Sequence, residues 1–160
     1  MKDPQNQISR RGLTVWRIHG WIESIIVWLI CIGIGVGIHY LHVSFDYWIY
    51  AGLAMVAVLF TICFVYAFPK IRWHHWRYEV REEEIELKYG LFVIERVLVP
   101  MIRVQHVNMT QGPILKKYHL AEISISTAAT VHKIPALTEE EAEELRMKIS
   151  TLARVAEDDV

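Results

Sequence analysis

Residues 47–68, "YWIYAGLAMVAVLFTICFVYAF", contain no Asp, Glu, Lys, Arg or His. As a helix rising 1.5 Å per residue, such a run crosses a hydrocarbon layer ~30 Å thick, which takes roughly 20 residues. A helix in the core of a soluble domain keeps one polar stripe toward water, and this run has none. Upstream, residues 22–41, "IESIIVWLICIGIGVGIHYL", carry only Glu23 and His39 as ionisable groups. The two runs predict a transmembrane helical hairpin over residues 21–68. A cleaved signal peptide explains the first run less well, because no small-residue cleavage site follows and a second apolar run comes almost at once.

Cations flanking the runs set the expected orientation, since Lys and Arg near span ends stay on the cytoplasmic side. Lys2, Arg10, Arg11 and Arg17 give residues 1–20 the character of a basic cytoplasmic segment, Lys70, Arg72 and Arg77 follow the second run, and the connection "HVSFD" (42–46) has no Lys or Arg. The expectation is a multi-pass protein of the cell membrane with both termini cytoplasmic. Trp16, Trp21, Tyr47, Trp48, Trp73 and Trp76 cluster at the expected boundaries, as interface-seeking aromatics do. Gly33 and Gly37, in G-x-x-x-G spacing, and Gly52, with Ala51, Ala54 and Ala57, offer small residues for close packing. The economical reading pairs the two spans within one chain, and the sharper one makes these positions contacts of a homo-oligomer. Glu23 reads as an interfacial carboxylate rather than a proton site, and Cys31 and Cys63 as small apolar packing groups without a disulfide or metal spacing.

After Pro69 the pattern becomes alternation of period two, the mark of strands with one buried face. In "EIELKYG" Ile85, Leu87 and Tyr89 oppose Glu84, Glu86 and Lys88. Similar alternation in 91–99, 102–109 and 122–127, with 74–80, a short piece near Ile114–Leu120 and 129–134, gives about seven antiparallel strands over a domain of residues 69–160. Gly90, Pro100, the "QGP" at 111–113 and Pro135 punctuate them. The period then changes to helical: Ala142, Leu145, Ile149, Leu152 and Ala156 form an apolar stripe, and Thr138 with Glu141 forms a capping box.

About seven strands closed by one helix is the element order of a pleckstrin-homology-like (PH-like) sandwich or barrel. The stretch "YGLFVIERVLVPMIRVQHVNMTQGPILKKYHLAEISISTA" (89–128) resembles the core of the bacterial PH-like domain family of YdbS-like membrane proteins. The resemblance is carried by Pro100, Arg103, Val104, Gln105 and Val107, by Gln111, Gly112 and Pro113, and by Thr127 and Ala128. The two apolar runs are also similar to those of the smaller members. His119 departs from the pattern, standing where the family tends to place Gly before the strand that ends in "T-A"; a left-handed backbone there is costly for His. The resemblance implies a bacterial cytoplasmic-membrane protein working beside a larger relative with several such domains, in envelope stress or resistance to antimicrobial peptides.

Other chemistries find little support in the residues. His106, His119 and His132 are too scattered for a ligand spacing, and His74 and His75, adjacent on an expected strand, leave opposite faces. No nucleophile elbow, zinc-protease or phosphate-loop motif is present, so neither an enzyme nor a cofactor is expected. A net charge of -1 argues against nucleic acid as a partner. The acidic run "REEEIE" (81–86), read as the first hairpin, would repel the polyphosphoinositides that some PH domains hold there. What is left is a docking face for a partner protein or for membrane lipids, made of Arg103 and Gln105 on one face of a strand, with Gln111, Lys116 and Lys117 near the "QGP" turn. The expectation is therefore a membrane-anchored interaction module. The alternative is a transport accessory or a channel-forming oligomer of small membrane subunits, although a polar stripe through the spans is missing.

Overall fold

The computed structural model describes residues 4–40 and 47–158. The connection at 42–46 and Lys2, on which part of the orientation reading leans, lie outside the described residues. The chain divides into a helical unit, Trp16–Ile71, and a β unit that takes the chain up to Val15 and again from Arg72.

In the helical unit, α1 (Gly12–Tyr40) and α2 (Tyr47–Thr61) supply the apolar runs; α2 continues through a π-helical stretch, Ile62–Ala67, into α3 (Phe68–His75). The two continuous helices, 29 residues each, contain 18-residue stretches with mean hydropathies of 2.2 and 2.3, little of which is buried. Ile25, Leu29, Met55 and Leu59 are more than half exposed, as only a lipid environment tolerates in such number. The π-helical stretch has a local cause. Pro69 has no amide hydrogen and its ring crowds the carbonyl four residues earlier, so the preceding turn widens.

The face that α1 turns to the second helix runs Gly20, Ser24, Val27, Cys31, Gly35, at helical spacing. A Cβ on Gly20 would lie 2.5 Å from the Phe64 carbonyl oxygen, so only glycine permits that approach. Farther along, Trp28 Nε1 donates to Thr61 Oγ1 at 3.2 Å, and that hydroxyl donates to the Ala57 carbonyl at 2.8 Å. The expected intrachain packing through Gly33, Gly37 and Gly52 does not occur. A Cβ on any of the three would meet nothing within 4 Å. The helices meet instead through small residues spaced by four, Gly20 with Ser24 and Cys31 with Gly35, on another side of α1.

The β unit is a two-sheet PH-like sandwich. One sheet has the order β1 (Asn6–Gln7), β2 (Arg77–Val80), β3 (Glu84–Gly90), β4 (Ile94–Pro100); the other has β5 (Val104–Thr110), β6 (Leu120–Thr127), β7 (Val131–Thr138). All neighbours are antiparallel. Ile85, Leu87 and Val99 from the first sheet and Ile123, Ile125 and Ile134 from the second are buried, each stabilising the fold by roughly 1.5–3 kcal/mol. Helix α5 (Glu139–Asp158) lies against β5, β6 and the 3₁₀ turn before β5, burying Ala142 and Ile149. Its capping box forms as expected: Thr138 N donates to Glu141 Oε2 at 3.1 Å and Glu141 N donates to Thr138 Oγ1 at 3.3 Å.

Among the described residues seven strands are present, but their membership differs from expectation. Residues 74–75 finish helix α3, so His74 and His75 are not on a strand, which begins only at Arg77. Ile114–Leu120 is largely α4 (Pro113–Lys117): Gly112 takes the N-cap position and Pro113 the first helical position, where a missing N–H costs nothing. The remaining strand is Asn6–Gln7, from residues 1–20, expected to be a basic cytoplasmic segment. Asn6 pairs with Tyr78 and Gln7 with Arg77. Gln7 Nε2 donates to the Trp73 carbonyl at 3.1 Å, Trp73 Nε1 donates to the Ile8 carbonyl at 3.2 Å, and Ser9 N donates to the Ala136 carbonyl at 3.0 Å. The N-terminal segment thus ties the two sheets together, and the apolar helices are an insertion between β1 and β2.

Candidate docking groove

The segment Pro100–Gln105 is placed by three local constraints. Pro100 ends β4 and leads into a 3₁₀ turn, Met101–Arg103. Met101 is fully buried, and its amide donates to the Glu83 carbonyl at 2.9 Å, so the turn is anchored in the core while Ile102 and Arg103 face out. A β-bulge then follows. Val104 pairs with Thr127 and His106 with Ser126, leaving Gln105 as the extra residue. The bulge re-aims a side chain, as such irregularities do. This corrects the expectation that Arg103 and Gln105 share one strand face: Arg103 precedes the strand, and Gln105 sits exposed in the bulge.

Across from this segment is the turn from β6 to β7. Thr127 N donates to the Thr130 carbonyl at 2.9 Å, and Thr130 N donates to Thr127 Oγ1 at 3.1 Å. Thr130 Oγ1 also lies 2.9 Å from His132 Nε2. The two segments enclose an open groove of about 510 Å³, lined by Pro100, Ile102, Arg103, Gln105, Thr127 and His132 among others. The two halves of the motif, "P-x-x-R-V-Q" and "T-A", come from strand positions more than 20 residues apart and meet here. The mix of an apolar floor, one guanidinium, one amide and hydroxyls can hold a peptide segment by hydrogen bonds and burial.

Gln111, Lys116 and Lys117 do not join this groove. The pairing of Val104 with Thr127 and of Thr110 with Glu122 puts them at the opposite end of the sheet, ~20 Å away at strand rise. There Gln111 Nε2 donates to the Leu120 carbonyl at 2.9 Å and to Glu139 Oε1, fastening the start of β6 to the start of α5. His119, beside it, has φ 53°, so the left-handed turn is kept despite the absence of Gly. Its carbonyl accepts from Glu139 N at 3.3 Å. Gln111 is therefore a structural latch. Lys116 and Lys117 are exposed on α4.

The acidic turn joins β2 to β3 and is the first hairpin along the chain, since β1 and β2 are separated by the helical insertion. It is knitted by Arg81, whose guanidinium lies 3.1 Å from Glu79, 2.9 Å from Glu84 and 3.1 Å from Glu86. The hydrogen bond to Glu79 pushes the Arg81 pKa further up, and Glu86 is 3% exposed beneath it.

Comparison with known proteins settles the fold's lineage. Residues 18–153 match the sequence model described as the bacterial PH domain. The chain belongs to the bacterial PH domain family. The match covers the apolar helices as well as most of the β unit. The UPF0699 transmembrane protein YdbS of Bacillus subtilis (strain 168) is 54% identical over 159 residues, 99% of each chain, so this bacterial PH domain protein stands with the UPF0699 membrane proteins. The UPF0699 transmembrane protein YdbT of the same organism is 26% identical over 99 residues, 59% of this chain and 20% of that one. No solved structure matches the chain significantly.

Two working pairs of residues were missed in the sequence. Gly20 and Ser24, which carry the helix contact, had a signal in their spacing of four. Asn6–Gln7 had none, since two residues show no period.

Proposed function

We propose that this bacterial PH domain protein is a non-enzymatic docking module of the cell membrane. Its two apolar helices hold the β unit at the inner surface, and the groove at Pro100–Gln105 and Thr127–His132 receives a segment of another membrane protein. The observation that carries the reading is the convergence of both motif halves on one open groove whose rim polar groups, Arg103 and Gln105, are exposed. The partner class is a larger PH-domain membrane protein, a choice supported by the partial likeness to YdbT, of which this chain covers 20%. Membrane lipids are secondary ligands, and no cofactor or nucleic acid takes part. Pairing of Asn6–Gln7 with Arg77–Tyr78 supports placing both ends of the helical insertion on one side of the bilayer. The flanking cations favour the cytoplasmic side. The physiological setting, implied by the family resemblance, is envelope stress and resistance to antimicrobial peptides.

A photo-crosslinking residue at Gln105, with a second at Lys116 as control, tests the proposal in native membranes. Capture of a PH-domain membrane protein from position 105 and not from 116 supports it. Equal capture at both, or capture at neither, refutes it.

A second reading has one observation in its favour. Gly33, Gly37 and Gly52 face open space, which leaves their edge available to another copy of the helices. Self-association through this edge is expected to be disrupted by Gly37→Leu, read as loss of intermembrane-helix energy transfer between labelled copies.

A further inference from the structure

Among the described residues, four strands stand at sheet edges: β1 and β4 in the first sheet, β5 and β7 in the second. An open edge presents unpaired N–H and C=O groups that invite another strand, and proteins blunt it by shortness, bulges, proline, charge or cover. β1 has two residues, β5 begins with the bulge at Gln105 and has α5 against it, and β7 contains Pro135. β4 is the least protected. Its seven residues run in unbroken register along β3, with Ile94, Glu95, Arg96 and Leu98 exposed and its proline, Pro100, only at the last position. Its two charged side chains are drawn back to its own sheet: Arg96 Nε lies 3.5 Å from Glu86 Oε1, and Tyr89 hydrogen-bonds Glu95.

The last three residues of β4, Leu98, Val99 and Pro100, also line the groove, together with Ile102, Arg103 and Gln105. A strand laid along β4 is therefore led into the groove and onto its rim. The charge there is one-sided. No Asp or Glu lines the groove, and among the described residues neither Arg103 nor Gln105 has a side-chain hydrogen-bond or ion-pair partner. The carboxylates that register sets beside this part of β4, Glu84 opposite Pro100 and Glu86 opposite Leu98, are already held by Arg81 at 2.9 and 3.1 Å. Glu82 and Glu83 of the same turn are exposed and lie outside the lining. A guanidinium beside an apolar floor takes a carboxylate through two parallel N–H···O bonds, and a carboxamide has two further donors to offer.

We propose, building on the groove's role as a docking site, that its occupant is an extended apolar–acidic segment of the partner protein, which adds to β4 as a further strand of the first sheet and sets an Asp or Glu side chain on Arg103 and Gln105. Backbone hydrogen bonds along β4 supply the affinity, and side-chain contacts supply the specificity. Leu98 and Ile102, 45% and 53% exposed, receive the apolar side chains of the segment. The carboxylate fixes its register. A lipid phosphate would use the guanidinium but neither the strand edge nor the apolar floor.

The test uses the full chain in native membranes, with photo-crosslinking residues placed singly at Ile94, the start of β4, and at Gln105, and with mass spectrometry of the captured peptides. Expected are adducts from both positions on one segment of the same partner, within about ten residues of each other at strand rise, with an Asp or Glu beside the site captured from 105. Ile102→Glu should lower capture from both positions by about tenfold or more, and Ile102→Lys should lower it less, because only the first repels a carboxylate. Arg103→Lys should retain more capture than Arg103→Gln. Capture from 105 without capture from 94 overturns the added strand and leaves the groove reading standing, whereas capture from neither, or from 94 alone, overturns both. A captured segment without Asp or Glu, a greater loss with Ile102→Lys than with Ile102→Glu, or adducts to a second copy of this chain also overturn the proposal.

Discussion

The two ends of the β5–β6–β7 sheet carry motif residues of similar character and use them oppositely. At one end Gln111 spends its amide on the Leu120 carbonyl and on Glu139, closing a joint between strand and helix. At the other, Arg103 and Gln105 are displayed on a 3₁₀ turn and a bulge, beside an open groove. A glutamine in a motif is therefore not evidence of binding by itself. What separates a latch from a rim is whether its polar atoms are already taken by backbone groups of another element.

Substitutions can break this contrast. Gln111→Ala should destabilise the β unit by about 1–3 kcal/mol, because the Leu120 carbonyl loses its side-chain donor and Glu139 its amide partner. Hydrogen exchange of the Leu120 and Glu139 amides in lipid nanodiscs would show it, with crosslinking from position 105 retained. Thr138→Ala, next to that joint, should cost about 1 kcal/mol through loss of the cap at the Glu141 amide. His119→Gly should stabilise by about 1 kcal/mol, since the left-handed turn strains a residue with a Cβ. Arg103→Ala should change stability by less than about 0.5 kcal/mol while abolishing partner capture. If it unfolded the domain as Gln111→Ala is expected to weaken it, the distinction between the two ends would collapse.

The smallest effect is expected at the Lys133–Glu122 pair between the ends, 2.9 Å apart on exposed strand faces. The hydrogen bond to Glu122 raises the Lys133 pKa, so its slight stabilisation is complete below the usual ammonium pKa and fades as pH rises through the raised value. Exchange at the strand centre should respond to alkaline pH only marginally, and equally toward both ends.

Much of this architecture was legible in the residues. Apolar runs gave the two long helices, alternation gave β3 to β7, and the Thr138–Glu141 spacing gave the start of α5. The misreadings share a physical cause: competition that composition does not display. "HHWRYEV" contains a strand, but its first two residues complete a helical turn begun at Phe68. Pro113 after Gly112 starts a helix where alternation suggested a strand. Which glycine face meets the second helix depends on rotation about the helix axis, and G-x-x-x-G at 33 and 37 was a stronger pattern than the Gly20–Ser24 pair that makes the contact. At the site, Arg103 and Gln105 are exposed, and the bulge that aims Gln105 depends on register with β6, a long-range fact.

The insertion of the apolar helices between β1 and β2 has a consequence for biogenesis. Gln7 finds its bond to Trp73 across 66 positions of chain, so the first strand must wait, unpaired, while both hydrophobic segments enter the lipid. Completion of the first sheet is thereby made conditional on both apolar helices having been synthesised, and a chain cut short before Arg77 would leave Asn6 and Gln7 without their strand partner.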